Sequence, residues 1–437
     1  MKKAFLVLVI TILVVLSTCK PANVSEVSDA VVLASGATLQ SEKMRIVELE
    51  VSESDQTDLT DGNGAFAFDL YQKLKTSEGN LFYSPYSISA ALAMTYAGAS
   101  STTAALMATA LHFNLSQEKL HPAFNWLDSE LAKRGEGAEG KDDEGFRLNV
   151  VNAIWGQKGY GFKVAFLDTL AENYGAGLRI LDFISEPDKS RVTINDWVNE
   201  QTEKRIQNLI APGGITPLTR LVLTNAIYFN AAWENQFYEE ATENLSFYLL
   251  DGGSVTVPMM KQTESLRYAK GDNYQAVELP YDGGELSMVI LLPAEGKFTE
   301  FENSLDYRQA DRIFSSLKGK RVKLTMPKFE FESDFSLKQA LSALGMAEAF
   351  SGGADFSGIT GNSDLFIGDV VHKAFVSVDE NGTEAAAATA VIMLGSAPGP
   401  KPEEPVTVTI DRPYIFLIRD IETGAILFIG RILNPEA

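Results

Sequence analysis

Three histidines, His112, His121 and His372, and one cysteine, Cys19, are the whole supply of near-neutral bases and thiols in the 437 residues. Hydrolysis by a Ser-His-Asp constellation needs one of those histidines beside a serine. His372 falls within an apolar strand-like run, and His112 and His121 lie in an irregular helical stretch, so none is placed as a general base. No G-x-S-x-G, H-E-x-x-H, phosphate-binding loop or paired-cysteine metal motif occurs. His112 and His121 have no evident partners as metal ligands, and surface histidines are the stronger reading. No catalytic residue, metal or cofactor is expected. The lone cysteine forbids an intrachain disulfide.

A different pattern stands out between Val378 and Val391. The approach is an alternating strand, with Ala374, Val376 and Val378 on one face and Phe375 and Ser377 on the other. It breaks at Asn381-Gly382, a pair that tolerates positive φ. The next eight residues, Thr383-Glu384-Ala385-Ala386-Ala387-Ala388-Thr389-Ala390, include no bulky group. Taken alone, Thr383-Glu384 before four alanines reads as a capped helix start. Read as a strand, Thr383, Ala385 and Ala387 share one face, and Glu384, Ala386 and Ala388 the other.

The elements around this stretch follow from composition and period. Hydrophobic content of 45% and charged content of 22% describe a globular chain with ample core. A net charge of −21 argues against nucleic acid and other polyanions as partners. Met1-Lys2-Lys3 followed by the apolar run Ala4 to Leu16 fits an export signal, too short for the roughly 20 apolar residues of a membrane span. Leu16-Ser17-Thr18-Cys19 looks like a bacterial lipobox with Cys19 as the lipidated residue, although Thr18 departs from the usual small residue; a plain secretory signal is the alternative. Residues 1–18 are thus expected to be a signal peptide, 19–59 a polar flexible tether, and 60–437 the folded domain. Phe66, Leu70 and Leu74 give a helical face, and Ser84-Pro85 before an apolar helix gives a cap. Leu221 to Trp233 is a strand apolar on both faces, in which the amide of Asn225 must find partners. Ile194, Trp197, Val198, Ile206 and Leu209 mark a helix. Val406 to Ile410, Tyr414 to Arg419 and Ala425 to Arg431 read as three closing strands, the last two joined by the turn Glu422-Thr423-Gly424.

Several of these blocks, in this order, resemble the serpins, the serine protease inhibitor family. They are Asn80 to Met94, Leu221 to Trp233, Val322 to Phe329, Val378 to Val391, Asp411 to Phe416 and Phe428 to Ile432, and the likeness runs from about Asn63 to Pro435. The resemblance implies an α+β fold, helices packed around three β-sheets with an exposed reactive loop at about 380–405. It makes Glu380, Gly382, Thr383, Glu384, Ala385, Ala386, Ala387 and Ala388 the hinge of that loop. It makes Ser84, Ser87, Asn225 and His372 the polar support of the main sheet, with a neutral His372 bonded to Asn225. Trp233 falls at the top of the insertion gap, and Lys328 on a lysine that pairs with the hinge-base glutamate, Glu380.

The resemblance also implies a mechanism: a serine protease cuts the loop, is held as an acyl-enzyme, and is carried off when the cut segment enters the main sheet. Spacing from Glu380 puts the reactive bond between Ser396 and Ala397, with Met393 and Leu394 as alternates. These residues suit elastase-, subtilisin- or chymotrypsin-like enzymes; Lys401, flanked by prolines, is a poor trypsin site. The expected partner is therefore a serine protease held covalently by a monomer. The expected location is outside the cell, at a membrane only through a lipid on Cys19. A non-inhibitory serpin acting as a binding or structural surface protein is the alternative.

Overall fold

A computed structural model describes residues 30–31, 38–138, 146–383 and 404–436. The chain opens with two short strands, β1 (Ala30–Val31) and β2 (Thr38–Leu39), before α1 (Glu53–Leu74), β3 (Leu81–Tyr83), α2 (Pro85–Tyr96), α3 (Ser101–Ala110) and α4 (Gln117–Leu131). The mixed middle comprises β4 (Arg147–Gln157), β5 (Phe162–Lys163), α5 (Val164–Tyr174), β6 (Leu178–Leu181), α6 (Pro187–Gln201) and β7 (Leu221–Ala232). Next come β8 (Glu243–Tyr248), β9 (Ser254–Lys270), β10 (Tyr274–Pro280), β11 (Leu286–Pro293), α7 (Phe298–Ser304), α8 (Tyr307–Ser316), β12 (Lys318–Pro327) and β13 (Phe329–Ser336). The last strands are β14 (Val370–Val378), β15 (Gly382–Thr383), β16 (Val406–Thr409), β17 (Tyr414–Asp420) and β18 (Ile426–Ile432).

Among the described residues these strands make three sheets. The main sheet has seven, in the order β13-β14-β15-β7-β4-β6-β2, with β14 also pairing β7 directly. A nine-stranded sheet runs β16-β12-β9-β10-β11-β17-β18-β3 with β8 on β9, and β1 pairs β5 alone. All twelve residues of β7 are buried, as its unbroken apolarity requires for a strand covered on both sides. One face, carrying Leu223, Ile227, Phe229 and Ala231, joins the large core that includes α1 and α2. The other, carrying Val222 and Ala226, packs with Val151, Ile194 and Val198 into a second core under α6. α2 is buried at every position, because it is apolar all round and lies between the two large sheets' elements; Ser84 caps it by accepting the Ser87 N–H at 3.1 Å, with Pro85 at its first turn.

Two expectations change. The polar stretch 19–59, expected as a free tether, is bound to the body where it is described. β2 pairs β6 as the edge strand of the main sheet, Lys43 contacts Glu172 at 2.8 Å, and Arg45 contacts Asp128 at 2.6 Å. α1 begins at Glu53, capped by Ser52, so folded structure starts well ahead of residue 60. Its first turns face solvent and are polar, which removes the apolar period that would have revealed them. The helix expected from Ile194 to Leu209 also stops early, at Gln201. Ile206 and Leu209 are buried in the same core from an irregular segment in which Glu203, Lys204 and Asn208 have positive φ.

Candidate functional site

The seam between β14 and β7 is closed along part of its length and wedged along the rest. The two strands pair in parallel from Val370↔Leu223 to Ala374↔Ile227. Above that pairing the chain turns back at Asp379 to Asn381, and β15 enters the seam antiparallel to both neighbours. Gly382 lies opposite Ala232, and Thr383 lies opposite both Ala231 and Val378. The approach is so close that a Cβ on Gly382 would sit 2.1 Å from the Ala231 carbonyl oxygen, so no larger residue fits there without displacing the strand.

Backbone and side chains fasten this turn from above. Trp233 N–H donates to the Asn381 carbonyl and Phe237 N–H to the Glu380 carbonyl, each at 2.8 Å. The Trp233 indole N–H donates to the Asp379 carbonyl at 2.9 Å. Trp233 stacks on Tyr281 with ring centroids 4.6 Å apart, and the Tyr281 hydroxyl lies 2.9 Å from Thr383 Oγ1. Burial pushes the Tyr281 phenol up from its ordinary range, so this hydroxyl stays protonated. Glu380 is only 3% exposed. Its carboxylate accepts from Lys328 Nζ and from Thr242 Oγ1, both at 2.6 Å. Burial raises its pKa, but these two donors, Lys328 first, outweigh burial and hold the carboxyl below the usual range.

Below the wedge a polar row crosses the closed seam. His372 and Asn225 are register partners across β14 and β7, and Asn152 faces Asn225 across β7 and β4. His372 Nε2 accepts the Ser84 backbone N–H at 3.2 Å, so its proton resides on Nδ1, which donates to Asn225 Oδ1. The Asn225 amide nitrogen donates to Ser87 Oγ and to Asn152 Oδ1. Ser87 Oγ in turn donates to Asn152 Oδ1 at 3.3 Å. Full burial holds the His372 ring down to about 3, keeping it neutral. A neutral ring whose two nitrogens are both engaged has no free site for a proton from a nucleophile. Of the other histidines, His121 is buried rather than at the surface as expected, its Nδ1 pairing with the Tyr174 hydroxyl, while the part-exposed His112 pairs through Nε2 with Asp69.

The seam lies where the sequence resemblance puts an insertion gap, and finding Gly382 and Thr383 already paired at its top goes beyond that expectation. A model of the Serpin (serine protease inhibitor) family matches residues 61–435.

The chain is a serpin.

An uncharacterized serpin-like protein of Thermococcus kodakarensis is 40% identical over 386 residues, 88% of each chain. Leukocyte elastase inhibitor A of Rattus norvegicus is 39% identical and covers 86% of this chain and 99% of its own length. Among solved structures, the native state of the thermophilic serpin tengpin superposes with a TM-score of 0.79 at 29% identity, covering 92% of this chain and all of its own.

In this serpin the structure brings together Ser84, Ser87, Asn225 and His372 in one cluster, and Trp233, Lys328, Glu380, Gly382 and Thr383 in another. Ser84 contributes differently from Ser87: its hydroxyl is a helix cap, and only its backbone N–H reaches His372. Three contributors went unread in the sequence. Asn152 completes the row, Tyr281 holds Thr383, and Thr242 shares Glu380. Asn152 sits in a strand whose first half is only partly buried, and Tyr281 stands alone just beyond β10, so neither had a local pattern to betray it. The hinge residues Glu384, Ala385, Ala386, Ala387 and Ala388, the reactive-bond candidates Met393, Leu394, Ser396 and Ala397, and Cys19 lie outside the described residues.

Proposed function

We propose that this serpin is an irreversible suicide-substrate inhibitor of serine proteases with elastase-, subtilisin- or chymotrypsin-like preference. The observation that carries the reading is β15. The first two residues after the hinge turn already run antiparallel to both β14 and β7, with the small Thr383 buried between them. A target's catalytic serine attacks the carbonyl carbon of a loop bond, at Ser396-Ala397 or at the Met393 or Leu394 alternates. The C–N bond breaks, the new amine leaves with a proton from the protease's own acid, and the upstream segment stays esterified to the protease. Released from its downstream anchor, that segment extends β15 down the seam. About 14 residues at ~3.3 Å each carry the tethered protease some 45 Å before water can deacylate it. The serpin contributes no catalytic group; its part is strand pairing and burial not yet made in the uncut protein.

The inward hinge face, Thr383, Ala385 and Ala387, carries no charge, proline or bulk, which favours insertion over the alternative of a non-inhibitory binding protein. The test is incubation with elastase, chymotrypsin, subtilisin and trypsin, followed by denaturing gels and mass spectrometry. The expected result is a denaturant-stable adduct with at least one of the first three, lost in Thr383→Arg, which would bury an unpaired cation opposite Ala231. Clean cleavage by every enzyme with no adduct counts against the reading. The same proposal includes export of a monomer, cut after residue 18 and lipidated at Cys19. Labelled fatty acid incorporated by the wild type and not by Cys19→Ala would support it, and an unlipidated mature chain would count against it.

A further inference from the structure

A chain with 58 acidic and 37 basic residues carries, between Arg308 and Lys323, six basic residues and one acidic one, Asp311. Four of those cations, Lys318, Lys320, Arg321 and Lys323, lie on the exposed half of β12. Strand alternation sets Arg321 and Lys323 on the outer face, since Val322 and Leu324 are buried on the other. Their cross-strand neighbours are Ser265 and Thr263 on β9, and Thr407 on β16, all exposed. This face is thus a flat platform of hydroxyls with two cations standing on it. Of the described acids nearby, Glu404 is exposed at this edge beside Lys320; the others face elsewhere or are occupied. Glu278 is buried against Arg267 and Arg419, Glu243 holds Lys261, and Glu264 lies opposite Val322. Among the described residues Lys318, Arg321 and Lys323 have no ion-pair partner.

Position gives the platform its meaning. β16 is the strand by which the chain re-enters the sheet after the loop, and it pairs β12 in parallel from Val322↔Val406. Pro405 and Glu404, both exposed, therefore leave the sheet alongside Arg321 and Lys320. The described residues just downstream of the loop thus lie beside this platform. The chain's net charge of −21 taken as a whole opposes an acidic approach.

We propose that the outer face of β12 is an exosite that steers a protease with an acidic surface beside its cleft onto the loop. This rests on the inhibitor reading and adds the charge class of the target. Screening over a Debye length of about 8 Å at physiological salt makes such steering local and salt-sensitive.

The test compares wild type with the double variant R321E/K323E, using native chymotrypsin and chymotrypsin succinylated on its lysines, with retained ester hydrolysis as the enzyme's control. Equal melting temperatures of the two serpins are the control for folding. At low ionic strength the variant is expected to associate with the succinylated enzyme at least about 10-fold more slowly than wild type, the gap closing in high salt. Native chymotrypsin should show no such loss. Equal rates for wild type and variant overturn the proposal. So does a result in which the substitutions abolish binding of dextran sulfate but leave both rates unchanged, which assigns the platform to polyanions. If wild type forms no adduct with either enzyme, the inhibitor reading fails separately. Binding of immobilised, catalytically dead succinylated chymotrypsin then decides the exosite: salt-sensitive binding lost in the variant supports it, and no binding overturns it.

Discussion

Two kinds of side chain hold the uncut hinge and seam, and they respond to different perturbations. Thr383 is held by one hydroxyl pair, so Tyr281→Phe removes that bond while keeping the stack on Trp233. A buried hydrogen bond is worth about 1 kcal/mol net, so amide exchange at residues 379–383 should quicken about 5-fold, read by exchange mass spectrometry. Unchanged exchange would mean the backbone bonds from Trp233 and Phe237 hold the turn alone. The histidines respond to pH. His372 and His121 are held neutral by burial, down to about 3 and about 4 against an ordinary 6.5. The unfolded chain binds protons that the folded one refuses, so their contribution is complete above pH 6.5 and falls as the solution is acidified towards those values. Each contributes about 1.4 kcal/mol per pH unit inside its window. Guanidinium midpoints should therefore drop between pH 6 and 4, and His121→Gln should flatten that drop by roughly half. A wild-type midpoint flat across the range would rule out both neutral histidines.

Extending the register of β15 shows what the seam must do at the level of whole strands. Thr383 lies opposite Ala231 and Val378, so an inserted strand continuing in step sets Ala385 opposite Phe229 and Val376, and Ala387 opposite Ile227 and Ala374. Two residues further, Thr389 arrives between Asn225 and His372. The hydrogen bond that spans the closed seam is then parted, and the entering hydroxyl can serve both ends. Thr389→Val should leave the uncut protein unchanged in stability while weakening the loop-inserted form by about 1–3 kcal/mol, the cost of leaving buried polar groups unmet. The measurement is guanidinium unfolding of cut and uncut forms side by side; an equal effect on both would remove Thr389 from this role. The strands that make this argument possible were legible in the sequence, because β7 is a long unbroken apolar run and β14 alternates. Asn225 stood out as an amide in an apolar run, whereas its partner Asn152 did not, its own strand being half exposed. The N-terminal strap and the first turns of α1 were illegible for the opposite reason: their contacts are polar and tertiary, such as Arg45 with Asp128, and leave no period. A whole-chain charge sum likewise carries no information on the local cations of β12.

At the scale of the molecule, the proposed activity requires the uncut fold to be less stable than one it can reach. The seam gives the physical source of that difference. β14 and β7 pair directly over only five positions, Val370 to Ala374, and the two residues of β15 occupy the top. A fully inserted strand would exchange that short contact for two continuous ladders and would bury its small inward side chains against the core beneath β7. If on the order of ten ladder bonds are gained at ~1 kcal/mol each, the cut form is favoured by about 10 kcal/mol. At ~2.1 cal/mol/K of unfolding entropy per residue, a domain of this size shifts by roughly 1.3 °C per kcal/mol, so the rise in melting temperature is about 10–15 °C. Limited cleavage of the loop followed by a thermal scan measures it directly, without any knowledge of the physiological protease. The strands downstream of the cut, β16, β17 and β18, are integral to the nine-stranded sheet, so a rise is not expected from loss of a domain. An unchanged or lower melting temperature after a single cut would mean that the seam does not open, and the protein would then act through its surface as a binding serpin.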